Sequence, residues 1–358
     1  MRGRLKEKNK MKKFLSMLVA AMMIFVIVSC GHVGGTSGDS GSSANGNSDI
    51  SESVTKVSKT FSMGVVNGAP ALAVANIAGG FDFSDEKNDV KTNVNVEKDA
   101  PAVIAGLTNG TYDMAILPLN VASKLYNAGK LGVKLVSVNI FSVLHVLTKG
   151  EYNNLNDMKG KVVYAVGTKD GTPVVTLKNI LAANGIKFAD GDEAADSETV
   201  YINAVAEAQL VIVALKKGEV DFAILGEPVV SQAMAKTGAK IAFSVEDEWK
   251  KAHPGVGFVQ AGLIVKSAVL DNYGGYVDAL MEKMGENNAY INEHVETVSD
   301  ELKLINATLP KLSAETLARC LIGADKASFR RADIEAFLKA LNPADYGGKL
   351  PSDDFYAR

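Results

Sequence analysis

Cysteine, histidine and tryptophan are scarce in this chain: its 358 residues hold two Cys, four His and one Trp. The histidines (His32, His145, His253 and His294) have no Cys, His or carboxylate neighbours at metal-ligand spacing, and HExxH is absent. That excludes the common zinc motifs. GxSxG, the Walker A loop and GxGxxG are absent too, so the hydrolase elbow, the nucleotide P-loop and the dinucleotide fingerprint have no support. His145 lies in the apolar run Val143–Leu147, the setting of a core or hinge histidine. Cys320 stands alone on an apolar helical pattern and reads as a small buried hydrophobe. An excess of positive charge is missing as well. Without residues 1–30 the chain carries 31 Lys or Arg against 40 Asp or Glu. A phosphate backbone calls for a basic face, so no nucleic-acid partner is expected.

The first 30 residues follow a different logic. Arg2, Arg4, Lys6, Lys8, Lys10, Lys12 and Lys13 precede an apolar run, Phe14–Val28, broken only by Ser16. A basic region before a short apolar core is the pattern of a secretory signal peptide. Translation can start at Met1 or at Met11, since MKKFLSML is itself a complete signal opening. The end of the run, Ile27-Val28-Ser29-Cys30, resembles a bacterial lipobox. That resemblance implies cleavage before Cys30 and lipidation of its thiol. An uncleaved anchor is the other reading, but the run falls short of the roughly 20 apolar residues a span needs. With Cys30 lipidated, no disulfide can form within the chain. Residues 31–60, rich in Gly, Ser, Asn and Asp, read as a flexible tether.

The remainder is organised around a repeat. GTYDMAILPLNVASKLYNAG, Gly110–Gly129, reappears as GEVDFAILGEPVVSQAMAKTG, Gly218–Gly238. The two align without gaps from Gly110/Gly218 to Ser123/Ser231, pairing Asp113 with Asp221 and Ile116-Leu117 with Ile224-Leu225. Such a match marks one supersecondary unit used twice. Each copy reads as a buried strand, a tight turn and a helix. Asp113 and Asp221 read as strand-start residues, not a catalytic pair. Upstream of each copy lies another strand, a Gly-containing turn and a Pro at the first helical position: Met63–Pro70 and Val162–Pro173.

The rest alternates strand and helix. Strands are expected at 61–66, 90–96, 198–202 and 240–245, and helices at 70–79, 100–107, 173–184 and 204–217. Two long β-rich runs, 132–149 and 258–265, read as crossings between halves. From Tyr276 the chain reads as amphipathic helix over 276–298, 314–322 and 332–341, bracing the first half. The expected fold class is α/β and two-lobed, with two hinge crossings and a helical C-terminal tail. Lobe one comprises 61–148 and 258–358; lobe two is 149–257. Two lobes joined by two crossings form a closing hinge.

The chemistry such a pair can do is binding. Helix N-termini carry unpaired N–H donors and partial positive charge, which suit anions and polar groups. Four are expected at the carboxyl ends of strands, at Gly68-Ala69-Pro70, Leu119-Asn120, Thr172-Pro173 and Glu227-Pro228. Asn67 offers a donor and an acceptor. Asn120 either caps its helix or faces a ligand. Thr168 and Thr172 offer hydroxyls, one of them as a cap. Glu227 departs from the repeat, standing where copy one has Leu119. It either compensates a helix dipole or accepts from a ligand N–H, in which case the ligand is not a bare anion such as nitrate. Tyr126, Phe141 and Tyr164 either pack in the core or stack on an aromatic ligand.

The lipobox, NGAPA at 67–71, DMAILPLN at 113–120, GTP at 171–173 and DFAILGEP at 221–228 together resemble the solute-binding proteins of ABC importers. The likeness is to the nitrate/sulfonate/taurine and thiamine-precursor group, over about residues 61–330. It implies a type II periplasmic-binding fold and a small solute clamped between lobes. It also implies delivery to a permease and its ATPase, and a lipid-anchored monomer in the cell envelope outside the cytoplasm. Neither cofactor nor metal is implied. In that group the turns after equivalent strands line the pocket, which points here to Asn67, Gly68, Ala69, Asn120, Thr168, Thr172 and Glu227. One branch makes a pyrimidine of the thiamine type with a Cys-rich motif. An enzyme of cofactor-precursor metabolism is therefore the alternative, although only Cys320 remains in the core here. A sensory or adhesive lipoprotein on the same scaffold is a third reading.

Overall fold

The computed structural model describes residues 56–357. The signal peptide, Cys30 and most of the tether lie outside the described residues. The chain begins with β1 (Val57–Val66), α1 (Ala69–Leu72), β2 (Phe81–Ser84), β3 (Asn88–Glu97), α2 (Ala100–Asn109), β4 (Met114–Pro118), α3 (Leu119–Asn127) and β5 (Val133–Ser142). Next come β6 (Leu144–Thr148), β7 (Val162–Val166), α4 (Thr172–Ala183), β8 (Lys187–Asp190), β9 (Thr199–Val205), α5 (Ala208–Lys217), β10 (Phe222–Gly226), α6 (Val229–Thr237), β11 (Lys240–Ser244) and α7 (Val245–Ala252). It closes with β12 (Ala261–Lys266), α8 (Ser267–Asn272), α9 (Gly274–Gly285), α10 (Asn287–Glu293), α11 (Val298–Glu301), α12 (Ala314–Ala318), β13 (Leu321–Lys326) and α13 (Arg331–Ala340).

Two mixed sheets result. The first has the order β13-β5-β12-β4-β1-β3-β2 and the second β11-β6-β10-β7-β9-β8. The repeat is visible in this order. β4 lies between β1, parallel to it, and β12, antiparallel. Its counterpart β10 lies between β7, parallel, and β6, antiparallel. In both sheets the antiparallel partner is the strand that has just arrived from the other sheet. Residues 114–117 and 222–225 are buried throughout, as strands covered on both faces must be, and this explains their unbroken apolar sequence. β3 buries Val90, Thr92 and Val94 and exposes Lys91 and Asn93, so only one of its faces is covered. Glycines in the left-handed region stand at both ends of each copy, at Gly110 and Gly129 and at Gly218 and Gly238.

The chain crosses from the first sheet to the second at Val143, so the β-rich run 132–149 is divided between them. Gln260 ties the outgoing and returning crossings together. Its side-chain oxygen accepts from Val143 N at 3.1 Å and its own N–H donates to Ile140 O at 2.9 Å. Its carbonyl accepts from Leu119 N at 2.9 Å, at the start of α3. Each polar group of this buried residue is thereby satisfied, as a low-dielectric site requires.

Three expectations need correction. The stretch 70–79 is not one helix: α1 has four residues, and a 3-10 turn follows at Ala75–Ile77. The cause is Asn287, whose amide donates to Leu72 O at 3.0 Å and whose oxygen accepts from Asn76 N at 3.0 Å. Those are the two groups an uninterrupted helix would join, so a side chain inserted in the ladder breaks it. The helix expected over 314–322 ends at Ala318, and Leu321–Lys326 is a strand beside β5. Strand β1 begins at Val57, because residues 57–60 continue the parallel register with Asn88–Lys91.

The helical tail braces more than the first sheet. Phe337 of α13 packs on Trp249 of α7, with ring centroids 5.0 Å apart, and on Phe258 of the return crossing at 5.9 Å. Close packing also fixes small residues. A Cβ on Gly106 would lie 2.2 Å, and one on Gly64 2.6 Å, from the Tyr112 ring wedged between α2 and β1. Replacing Gly106 by Ala overpacks this contact. It should cost about 1–3 kcal/mol in denaturant unfolding while leaving the m-value unchanged.

Candidate functional site

The turns after β1, β4, β7 and β10 all lie at carboxyl ends of strands, and the side chains expected to line a cleft are on them. Asn67 is exposed, and its side chain clasps one residue of the tail. Its amide donates to Thr308 O at 3.1 Å and its oxygen accepts from Thr308 N at 2.8 Å. Gly68 has φ 111°, and a Cβ there would meet nothing within 4 Å. Ala69 is buried at the start of α1. Because α1 is a single turn, the first of the four expected helix N-termini is only nominal.

Asn120 is 1% exposed. It does not cap α3, which starts at Leu119 without a side-chain cap. Its amide donates to Asp170 O at 3.0 Å and to Asp345 O at 3.3 Å. The first is in the turn before α4 on the second sheet; the second belongs to the C-terminal tail. Lys124, one turn further along α3, pairs with Asp170 at 3.1 Å. Thr168 Oγ donates to Asp170 Oδ1 at 2.8 Å. This bond, helped by Lys124 and opposed by burial, holds the Asp170 carboxyl below its ordinary value. Thr172 is buried as the first residue of α4, whose N-cap is Gly171. Thus one side of the interface between the sheets brings Asn120, Thr168 and Thr172 into one neighbourhood through Asp170.

Glu227 lies on the opposite repeat copy and is also 1% exposed. Its carboxylate accepts from Ser231 N at 3.1 Å, Ser231 Oγ at 3.0 Å and Arg319 Nε at 2.6 Å. The first bond is to an N-terminal amide of α6, so dipole compensation is one part of its role. The second part, invisible in the local sequence, is Arg319. This residue follows α12 and leads into β13 on the first sheet. It also donates to Glu315 at 2.9 Å and to Ser231 Oγ at 2.8 Å, and Thr316 Oγ lies 2.9 Å from Ser231 Oγ. Burial works against the Arg319 charge, yet its bonds to Glu227 and Glu315 outweigh it and leave its pKa above the ordinary value.

Two titratable groups adjoin this pair. Burial pushes the Cys320 thiol up to about 12, and Glu227 adds to the effect. At neutral pH it is a thiol, a poor nucleophile. Burial pushes His145 down to about 4, with the Arg319 charge acting in the same direction and Asp247 against it. His145 Nδ1 has no hydrogen-bond partner among the described residues. Of the aromatic candidates, Tyr126 packs on Phe355 at 4.9 Å and Phe141 lies under the Arg330 guanidinium at 5.3 Å. Tyr164 packs against the second buried cluster. Among the described residues no group of three or more His, Cys, Asp or Glu could hold a metal, and no helix is long and apolar enough to cross a membrane.

Sequence reasoning missed Arg319, Thr316 and the segment around Asp345. The repeat itself held one unused signal. Equivalent serines, Ser123 and Ser231, both grip the tail: Ser123 Oγ donates to Tyr346 O at 2.8 Å, and Ser231 meets Thr316 and Arg319.

Comparison with known families and with curated proteins gives no match. Solved structures do match. An ABC transporter protein from Parabacteroides distasonis has a TM-score of 0.65 at 22% identity, covering 84% of this chain and 99% of that one. The ligand-binding component of an ABC-type import system from Staphylococcus aureus gives 0.60 at 13% identity, over 84% and 96%. The periplasmic aliphatic sulphonate binding protein SsuA from Escherichia coli gives 0.56 at 15%, over 78% and 92%. At these identities the likeness is one of fold: the chain has the α/β periplasmic-binding-protein fold, and its structural neighbours are solute-binding proteins of ABC importers.

His145 generates a test of the site's electrostatics. Its pKa is about 4 folded against 6.5 as a free side chain. Between those values the unfolded chain binds the extra proton, so stability should fall as pH drops from about 6.5 to about 4. In His145→Gln, the slope of unfolding free energy with pH in that window should decrease by up to ~1.4 kcal/mol per pH unit. Urea titrations at a series of pH values measure it.

Proposed function

We propose that this chain is an extracytoplasmic solute-binding lipoprotein of an ABC importer. It holds a small polar, anionic or heteroaromatic solute between two lobes, 61–148 with 258–358 and 149–257, and delivers it to a permease driven by an ATPase. Lipidation at Cys30 and a tether keep it at the membrane as a monomer. The observation that carries this reading is the duplicated strand-turn-helix, with β4 and β10 in equivalent places in two sheets and their following turns meeting structure from across the interface.

The residues assigned to the solute are those on the four turns. Asn67 and Gly68 supply an exposed amide and an open main-chain approach on one side. Thr168 and Thr172 supply hydroxyls on the other, beside the N-terminus of α4, whose leading amides are unpaired donors. Ala69 shapes the floor. Asn120 and Glu227 already use their polar atoms within the protein, so they serve the solute by shaping the walls and become ligands only if the lobes part. Binding without turnover fits the neighbouring groups: the Cys320 thiol is protonated and the Glu227 carboxylate is fully engaged.

Mass spectrometry of compounds that co-purify with the chain tests the reading, together with a thermal-shift screen of sulfonates, carboxylates, pyrimidines and thiamine precursors. A ligand of the folded state raises the melting temperature, by about 2.7 kcal/mol of stability at a hundredfold excess over Kd. Asn67→Ala and Thr172→Ala should each weaken binding of the hit roughly five- to tenfold, as expected for one lost hydrogen bond, with cooperative melting retained. Unchanged affinity in both would remove these turns from the site, and recovery of a chemically altered compound would favour an enzyme.

A further inference from the structure

The strongest polar contact between the part of the chain built on the second sheet and the part built on the first is the Glu227–Arg319 pair. Glu227 follows β10 and precedes α6, both in the second part. Arg319 is held by β13, which is hydrogen-bonded to β5 in the first. The pair is doubly embedded. Glu227 has no exposed side-chain surface, and Arg319 retains 21%. Every nitrogen of the guanidinium is committed: Nε to Glu227, Nη1 to Glu315 and Nη2 to Ser231. Ser231 in turn meets Thr316, which bonds Ser313 Oγ at 3.0 Å. So a small network from α6 and a small network from the α12 segment interlock.

We propose that Glu227, Ser231, Thr316 and Arg319 form a latch that holds the two lobes shut, and that its making and breaking set the balance between closed and open protein. The argument is energetic. A carboxylate with no solvent access cannot tolerate loss of its partner, because water does not reach it in place of the guanidinium. Opening at this edge therefore requires either water to enter or Arg319 to withdraw, and both make the open form costly. On the far side, the contacts that would separate with it are weaker in kind. They are an amide-to-carbonyl bond, Asn120 to Asp170, and the Lys124–Asp170 pair, whose side chains are 33% and 53% exposed. Exposed pairs of that sort add little. One edge is a lock and the other a seam.

The latch rests on the binding reading only for its consequence, the control of solute entry and release; its existence is tested without solute. Hydrogen exchange of the full chain is measured by mass spectrometry for the native protein, for Arg319→Gln, for Arg319→Lys and for the double variant Glu227→Gln with Arg319→Gln. The double variant removes both charges and keeps the volume, so it folds even where Arg319→Gln strands a buried carboxylate and does not. The expected result in the double variant is faster exchange at the remote seam, residues 119–123 and 168–174, by at least about tenfold, since close buried charge pairs couple by more than that factor. Arg319→Lys keeps the charge and loses the fork, and should lie between native and double variant. A purely local role moves only 227–231 and 313–319. Native-like exchange at 119–123 and 168–174 in both Arg319→Lys and the double variant would overturn the latch. Failure of the solute screen would leave this result standing, and failure here would leave a hit in the screen standing.

Discussion

Each half of this molecule is completed by a strand borrowed from the path to or from the other half. β4 needs an antiparallel neighbour on the side away from β1, and β12 supplies it after the chain has visited the second sheet. β10 needs the same beside β7, and β6 supplies it as the chain arrives. A buried strand cannot leave a row of N–H and C=O groups unpaired, so neither sheet can close its ladder without a crossing strand. The two crossings are therefore structural members of the sheets they join. Gln260 makes the point at the level of one side chain, since it joins both crossings and the first residue of α3 with three hydrogen bonds.

That constraint orders what lies above it. Because β4 and β10 occupy equivalent places, the turns that follow them emerge at equivalent positions, and the helices α3 and α6 start there. The two copies then diverge in what they hold. After β4 comes Leu119, buried and apolar, followed by an asparagine that reaches two main-chain carbonyls. After β10 comes Glu227, buried and charged, which needs an arginine. The tail supplies both complements, with Asp345 and Tyr346 against α3 and Thr316 and Arg319 against α6. A segment that reads in sequence as a brace on one lobe is the material that fits the two copies to their different surroundings.

Much of this was legible in the sequence, and the reasons are local. The strands of the repeat announce themselves as unbroken apolar runs because both their faces are covered. The helix ends at Gly110, Gly218 and Gly238 are marked by glycine because the backbone there adopts positive φ, where a side chain is strained. What was not legible depends on partners far away along the chain. The break in the helix after Ala69 is made by Asn287, 211 residues from Asn76, and nothing in ALAVANIAGG indicates it. The partner of Glu227 is Arg319, 92 residues on; the departure from the repeat at Glu227 was visible, but the residue that answers it was not. Residues 321–326 follow the same rule. Their helical pattern is overridden because β5 has an open edge there, and pairing at that edge outweighs intrinsic propensity.

The position of charge follows from the same division of labour. Sites that take part in the ladder or the core hold neutral groups: Cys320 stays a thiol and His145 stays unprotonated, because burial penalises the charged form of each. Glu227 and Arg319 are the exception, and their mutual hydrogen bonds explain why a charged pair is tolerated beside two groups kept neutral. A single buried charge in that place would either shift its own titration or draw a proton onto His145. A fork-shaped cation against a carboxylate does neither, since it satisfies the acceptor with directed bonds and leaves no net charge behind. The interface between the sheets is thus uncharged on balance while still carrying its most directional contact, a combination that a purely apolar seam of the same area could not provide.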